Sequence, residues 1–259
     1  MKKNILICGA SGFIGKNLVL YFAGKKKYNL IGTYHKKKST NNLKNIKWIK
    51  TDLRNFDQCI KVTKNMDIVM QCAATTSGSR DIIRAPYLHV TDNAVMNSYL
   101  LRASYINKVK HFIFTSCTVM YKNSNKPLTE KEVDEKKIFK NYYGVGHTKL
   151  YIEKMCKFFS KISDIKFTVI RHSNIYGPFD KFDKKKGHFI GSSIYRVFNE
   201  KTKKINIFGM GNEMRDYLYV NDLLSFIDLA IKKIRLTFIQ FNRIYKVFNF
   251  NVLILNFIV

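Results

Sequence analysis

The sequence predicts an α/β chain built on a doubly wound parallel sheet. Short apolar runs bounded by turn residues alternate with segments of helical periodicity. A glycine triplet joins the first run directly to the first helical pattern. Strand–helix–strand alternation of this kind implies right-handed crossovers, and hence a parallel sheet with helices on both faces.

Asn4–Cys8 is a short apolar run that ends at Gly9 and reads as a buried strand. Phe13, Ile14, Leu18 and Phe22 recur at helical spacing, with Gly24 as the expected C-cap. Leu30–Tyr34, Ile46–Ile49, Asp67–Cys72, Val109–Thr115 and Phe167–Arg171 are the further strand candidates. Helix-like segments lie between them at about 55–64, 92–107 and 145–160. No internal repeat is visible. The expected partition is a dinucleotide-binding domain over 1–173, a small, incomplete substrate-binding segment over 174–218 and a returning helix over 219–232. The remainder, 233–259, is an atypical tail. From Lys233 onward there is no Asp or Glu, and Val247–Val259 is apolar for only 13 residues. A membrane span needs about 20 apolar residues, so the tail reads as a truncated or frameshifted end and no membrane span is expected.

The 259 residues, 46% hydrophobic, suffice for one or two domains at about 150 residues each, and exclude global disorder. Five cysteines with no C-x-x-C spacing suggest neither a disulfide scaffold nor a zinc ribbon, and no metal site is expected. Only the four-residue apolar run Ile5–Cys8 leads into Gly9, too short for a signal-peptide core, so a cytoplasmic location is the expectation. The net charge of +28 raises the question of a polyanionic partner. Only nine of the 46 basic residues are Arg, however, and the lysines are scattered. An AT-rich coding sequence gives this Lys-, Asn-, Ile- and Phe-rich bias, whereas phosphate and base-edge recognition favour Arg. No specific nucleic-acid partner is expected.

Gly9-Ala10-Ser11-Gly12-Phe13-Ile14-Gly15 follows the first strand and opens the first helix. This is a G-x-x-G-x-x-G form of the dinucleotide fingerprint. Gly9 permits the tight turn, Gly12 lets a pyrophosphate approach the backbone, and Gly15 allows close helix–strand packing. The helix N-terminus adds N–H donors and a positive dipole end. The ribose-binding acid that NAD calls for about twenty residues later is absent. Tyr34-His35-Lys36-Lys37-Lys38 stands there instead, and its cations suit a 2′-phosphate. NADP is therefore the preferred cofactor, with NAD the alternative. Asp52, beside Leu53 after the third strand, is a candidate acceptor for the adenine amino group.

With these motifs the chain resembles the extended short-chain dehydrogenase/reductase family of nucleotide-sugar epimerases, dehydratases and reductases, which share a Rossmann-like fold. The resemblance runs from residue 3 to about 232. It includes Cys72-Ala73-Ala74, Asn93, Asn174-Ile175-Tyr176-Gly177-Pro178 and Arg215-Asp216-Tyr217 followed by Tyr219-Val220-Asn221-Asp222. Asn174 through Phe189 is similar to the GDP-L-fucose synthase branch. The resemblance implies a nucleotide-sugar substrate and cofactor contacts at Ala73 and Ala74. It also implies substrate contacts at Asn174 and Arg215, a proton donor at His188, and a homodimer.

The family's chemistry joins a Tyr, a Lys four residues later and a Ser or Thr. A nearby ammonium lowers a phenol's pKa from about 10 and so favours proton exchange with the substrate oxygen. Lys149 fits the lysine position by its downstream context, but Val145 stands four residues before it. Tyr142 and Tyr143 are the candidate phenols, with Gly144 and Gly146 marking a non-helical lead-in that brings one of them closer. Counting back four from Tyr121 lands on Cys117, and Ser116 and Thr118 flank it as alternative hydroxyl donors. The cysteine that assists epimerisation in the GDP-L-fucose synthase branch falls at Val119, which speaks against two-step epimerisation and reduction. The alternative to an enzyme is a nucleotide-binding remnant that holds cofactor without turnover.

Overall fold

In the computed structural model the described residues are 2–38, 45–76, 85, 87–124, 126–184, 187–199 and 215–233. The expected tail thus lies outside them beyond Lys233, as do 39–44 and 200–214. The chain runs β1 (Lys3–Cys8), α1 (Phe13–Ala23), β2 (Tyr28–Tyr34), β3 (Ile46–Lys50), α2 (Phe56–Thr63), β4 (Ile68–Gln71) and α3 (Tyr87–Ile106). It continues through β5 (His111–Cys117), α4 (Tyr143–Ile162), β6 (Lys166–His172), β7 (Asn174–Tyr176), α5 (Phe189–Asn199), β8 (Tyr217–Tyr219) and α6 (Val220–Lys233).

The sheet order is β3-β2-β1-β4-β5-β6, and every pairing is parallel. The order reverses between β1 and β4, which opens a crevice at the carboxyl ends of those strands. Continuous apolar runs are what a sheet covered on both faces requires. In β1, Leu6 and Cys8 enter one core with Leu100, Phe112 and Ile152, while Ile5 and Ile7 enter the other with Leu18, Phe22 and Ile227. α6 closes this second core, and Asp228 on it pairs with Lys25 just past α1 at 2.7 Å. β7 and β8 form a separate two-stranded parallel sheet in which Asn174 stands opposite Tyr217.

Two local expectations need correction. The helix expected from about 92 begins at Tyr87. Its first turn mixes exposed Tyr87 and Leu88 with buried His89, which hides the periodicity. The helix expected from about 145 begins at Tyr143, so Gly144 and Gly146 lie inside α4 and mark no non-helical lead-in. Their lack of a side chain serves packing. A Cβ on Gly144 would come within 2.8 Å of Val90 Cγ2, and one on Gly146 within 2.8 Å of Ile138 Cγ2.

Candidate functional site

The turn after β1 is fixed by sterics. Gly9 has φ +72°, and a Cβ there would lie 2.7 Å from Ala73 Cα, so β1 and β4 meet at the switch point with bare backbone. A Cβ on Gly15 would lie 2.2 Å from the Gly9 carbonyl oxygen. Gly9 N and Ala10 N are both tied to Thr33, at Oγ1 (3.2 Å) and O (2.9 Å). Gly12 is the N-cap of α1, and no side chain caps that end. The N–H groups of the first turn, from Phe13 and Ile14, are thus left for an anion, with exposed Ser11 beside them. This cradle fits a dinucleotide diphosphate.

At the ends of β2 and β3, His35 and Lys36 are exposed. His35 Nε2 lies 3.6 Å from Asp52 Oδ2. Asp52 accepts from Arg54 through both oxygens, Nε to Oδ1 at 3.0 Å and Nη2 to Oδ2 at 2.9 Å. The side-chain bond from Arg54 is the main cause that brings the Asp52 carboxyl down to about 2. Arg54 Nη1 reaches on to Asp92 of α3 at 3.2 Å. Leu53 is buried in the core, so only its backbone faces this corner. Arg54 and Asp92 escaped the sequence reading because 38 residues separate them.

Beyond β4, Ala73 and Ala74 are held by two amides. The Gln71 side chain accepts from Ala73 N and donates to Ala73 O, each at 3.2 Å, and also donates to Asn97 Oδ1 at 3.0 Å. Asn93 accepts from Thr75 N and donates to Thr75 O, both at 3.0 Å.

Lys149 projects to the same edge. Its Nζ donates to the Thr115 carbonyl at 2.9 Å and lies 4.7 Å from the centre of the Phe114 ring. Val145, Thr148 and Lys149 border a cavity of about 20 Å³ with Ala73, Ala74, His89, Asn93 and Asn97. Neither candidate phenol borders it. Tyr143 is 62% exposed, with its ring 4.3 Å from that of His147, and the Tyr142 ring lies 5.9 Å from that of Phe139.

Of the three hydroxyl or thiol candidates, Ser116 is fully buried and donates to Glu153 Oε1 at 2.6 Å. Glu153 in turn pairs with Arg171 at 2.7 Å, and Arg171 donates to the Tyr121 hydroxyl at 3.1 Å. Cys117 and Thr118 are half-buried at the end of β5, where Cys117 pairs in register with His172 of β6. Cys72 sits beside Thr115 and Lys149, and burial pushes its thiol up to about 12. His188 is exposed ahead of α5, within electrostatic reach of His172. Asn174 donates through its backbone N (3.3 Å) and Nδ2 (3.0 Å) to the carbonyl of Asp216, whose carboxyl burial raises. Arg215 is exposed beside it. The sequence reading missed Glu153, Arg171 and His172; a charged pair formed between a helix and a strand distant in sequence carries no local pattern.

The family model described as NAD dependent epimerase/dehydratase matches residues 5–243. The chain belongs to the NAD-dependent epimerase/dehydratase family. It is 27% identical over 230 residues to GDP-mannose 3,5-epimerase 1 of Oryza sativa subsp. indica, with 86% of this chain and 60% of that protein covered. The chain therefore spans less than two thirds of that relative's length. It is 22% identical over 236 residues to the GDP-L-fucose synthase of Azorhizobium caulinodans, with 89% of this chain and 71% of that protein covered. Among solved structures it is similar to the UDP-N-acetylglucosamine 4-epimerase of Methanobrevibacter ruminantium M1 in complex with UDP-N-acetylmuramic acid. There the TM-score is 0.80 and the identity 25%, with 93% of this chain and 76% of that chain covered. Among the described residues no helix is long and apolar enough to cross a membrane.

Proposed function

We propose that this chain binds a nicotinamide dinucleotide and acts on a nucleotide-activated sugar. The observation that carries this reading is the convergence of the uncapped α1 N-terminus, Ala73–Ala74 and Lys149 at the carboxyl edge of one parallel sheet. When bound, the cofactor supplies hydride exchange. Residues Gly9, Ser11, Gly12, Phe13, Ile14 and Gly15 hold its diphosphate. His35 and Lys36 favour NADP over NAD, and Asp52 and Leu53 border the adenine. Lys149 is the cation of the site and Tyr142 or Tyr143 its acid–base group, with Cys117 or Thr118 facing the substrate oxygen, since the buried Ser116 hydroxyl is committed to Glu153. Asn174 and Arg215 bind the sugar nucleotide, and His188 donates a proton. The likeness of Asn174–Phe189 to the GDP-L-fucose synthase branch favours a GDP-sugar. Exposed Tyr151, Phe158 and Ile162 form an apolar stripe on α4 that supports a homodimer.

A second reading, cofactor binding without turnover, is favoured by one observation: Val145, not a phenol, borders the cavity with Lys149. Calorimetry with NAD and NADP, followed by incubation with a panel of keto-sugar nucleotides, separates the two. Turnover that is lost in the Tyr142→Phe/Tyr143→Phe double variant supports the first. Cofactor binding with no hydride transfer to any sugar supports the second. No binding of either dinucleotide at millimolar concentration overturns both.

A further inference from the structure

A cavity of about 550 Å³ opens at the amino ends of β2 and β3, beside the last turn of α1 and opposite the cofactor edge of the sheet. That volume lies within the range of small-molecule sites, about 300–1,000 Å³. Ala23, Leu30 and Ile46, all packed in the second core, give it an apolar side. Lys2, Lys25, Lys26 and Lys47 border it, and among the described residues no carboxylate does. Lys25 shares Asp228 Oδ2 with Lys232, at 2.7 and 2.6 Å, so one carboxylate stands between two ammoniums and leaves a positive charge over. Lys2, Lys26 and Lys47 are exposed and enter no ion pair among the described residues.

The carboxyl end of α1 favours cations, which suits Lys25 and Lys26 just beyond Gly24. It does not explain Lys2 at the start of β1 or Lys47 on β3. A Lys-rich composition explains how many lysines there are, not why separate segments bring them around one cavity without an acid. Like charges gathered beside an apolar wall focus the field and draw in a counter-anion. Three unpaired ammoniums suit the several negative charges of a diphosphate, and lysine binds phosphate as a point charge. We propose that this cavity binds a small diphosphate, its charge held by Lys2, Lys26 and Lys47. The site lies apart from the α1 N-terminus and does not depend on the dinucleotide reading. Two sources share this chemistry: inorganic pyrophosphate, and a nucleoside diphosphate whose uncharged body covers Ala23, Leu30 and Ile46.

The test is nitrogen–proton NMR of the full chain labelled at its 13 glycines. Gly12 and Gly24 cap opposite ends of α1, and Gly24 borders the cavity, so one spectrum reads both places. Gly24 has φ −73°, and a Cβ there would meet nothing within 4 Å, so Gly24→Ala assigns its resonance without strain. Gly12→Ala assigns the other. The parent is titrated with GDP, with inorganic pyrophosphate and with guanosine at about 0.15 M salt. The expected result is a saturating shift of Gly24 with GDP or pyrophosphate and none with guanosine. Tighter binding of GDP names the nucleotide as the source; equal or tighter binding of pyrophosphate names the free anion. The Lys2→Gln/Lys26→Gln/Lys47→Gln variant then binds at least about tenfold more weakly at Gly24, while its Gly12 response to NADP matches the parent's. The proposal is overturned by a Gly24 resonance that stays fixed at millimolar GDP and pyrophosphate, that moves as far with guanosine, or that titrates equally in the triple lysine variant. A Gly12 resonance that ignores NADP removes the dinucleotide reading and leaves this one standing.

Discussion

Val145 stands one helical turn before Lys149 on α4, and both side chains border the cavity formed with Ala73 and Ala74. An isopropyl group therefore occupies the position from which a phenol would meet the ammonium side by side. Val145→Tyr is expected to raise hydride transfer to an accepted sugar nucleotide by at least tenfold, because a positioned acid–base group contributes about 10²–10⁴. Val145→Phe, which adds the ring without the hydroxyl, stays at the parent rate. The absorbance of the reduced cofactor follows both. An unchanged Val145→Tyr rate would leave the proton-transfer role with Tyr142 or Tyr143.

The glycine turn separates folding from binding. At Gly15 an added Cβ meets a fixed backbone oxygen at 2.2 Å and Ala10 Cα at 2.8 Å, and neither atom can yield cheaply. Gly15→Ala is expected to cost about 1–3 kcal/mol, a fall of about 4–8 °C in melting temperature at the middle of that range. At Gly12 the only near atom is the Gly9 oxygen at 3.3 Å. Gly12→Ala is expected to melt within about 2 °C of the parent yet bind NADP at least about tenfold more weakly, since its methyl group occupies the diphosphate's approach. Thermal melts and calorimetry on the two variants check the contrast; equal NADP affinity in Gly12→Ala and parent would remove the diphosphate from this turn.

These two cases also mark what the sequence makes legible. The turn from β1 into α1 is encoded by local backbone rules, so Gly9, Gly12 and Gly15 declare it within seven residues. The strands of the sheet declare themselves because burial on both faces demands unbroken apolar runs, as in Ile5–Cys8. Long-range polar pairing leaves no such trace. Nothing near Ser116 announces that Glu153 accepts a hydrogen bond from its hydroxyl, or near Asp52 that Arg54 ties it to Asp92. Gly144 and Gly146 misled for the same reason. Their cause is the approach of Val90 and Ile138 from other elements, which local helix propensity does not contain.

The Glu153–Arg171 pair fastens α4 to the ends of β5 and β6, one turn past Lys149. Both side chains are largely buried, at 5% and 15% exposure, so removing one partner leaves the other charge unmatched. Glu153→Ala is expected to lose about 3–5 kcal/mol in urea unfolding. The Glu153→Met/Arg171→Met double variant is expected to regain most of it, because well-packed apolar residues often replace a buried ion pair at little cost. If the double variant were as unstable as Glu153→Ala, the Ser116 and Tyr121 bonds would be the main contributors.

His111 supplies a pH dependence of definite sign. Its Nε2 lies 2.8 Å from Thr168 Oγ1 in the interior, and burial, helped by the charges of Lys166 and Lys3, lowers the imidazole from 6.5 to about 4. As the pH falls, the unfolded chain therefore takes up this proton before the folded chain does. The stability that goes with a neutral His111 is complete above about pH 6.5 and is lost progressively towards pH 4. The interval between the two values corresponds to about 3 kcal/mol. His172, brought down to about 4 as well, adds a smaller loss of the same sign because it is only half-buried. The carboxylates held low by ion pairs, Asp67 and Asp228, lose their contribution only as the pH falls further, from about 4 downward. Urea unfolding at pH 7 and pH 5 therefore isolates the histidines. The parent is expected to be clearly less stable at pH 5, and His111→Gln, which keeps a partner for Thr168 but does not titrate, to lose roughly half as much. An equal loss in parent and variant would assign the acid sensitivity to groups other than His111.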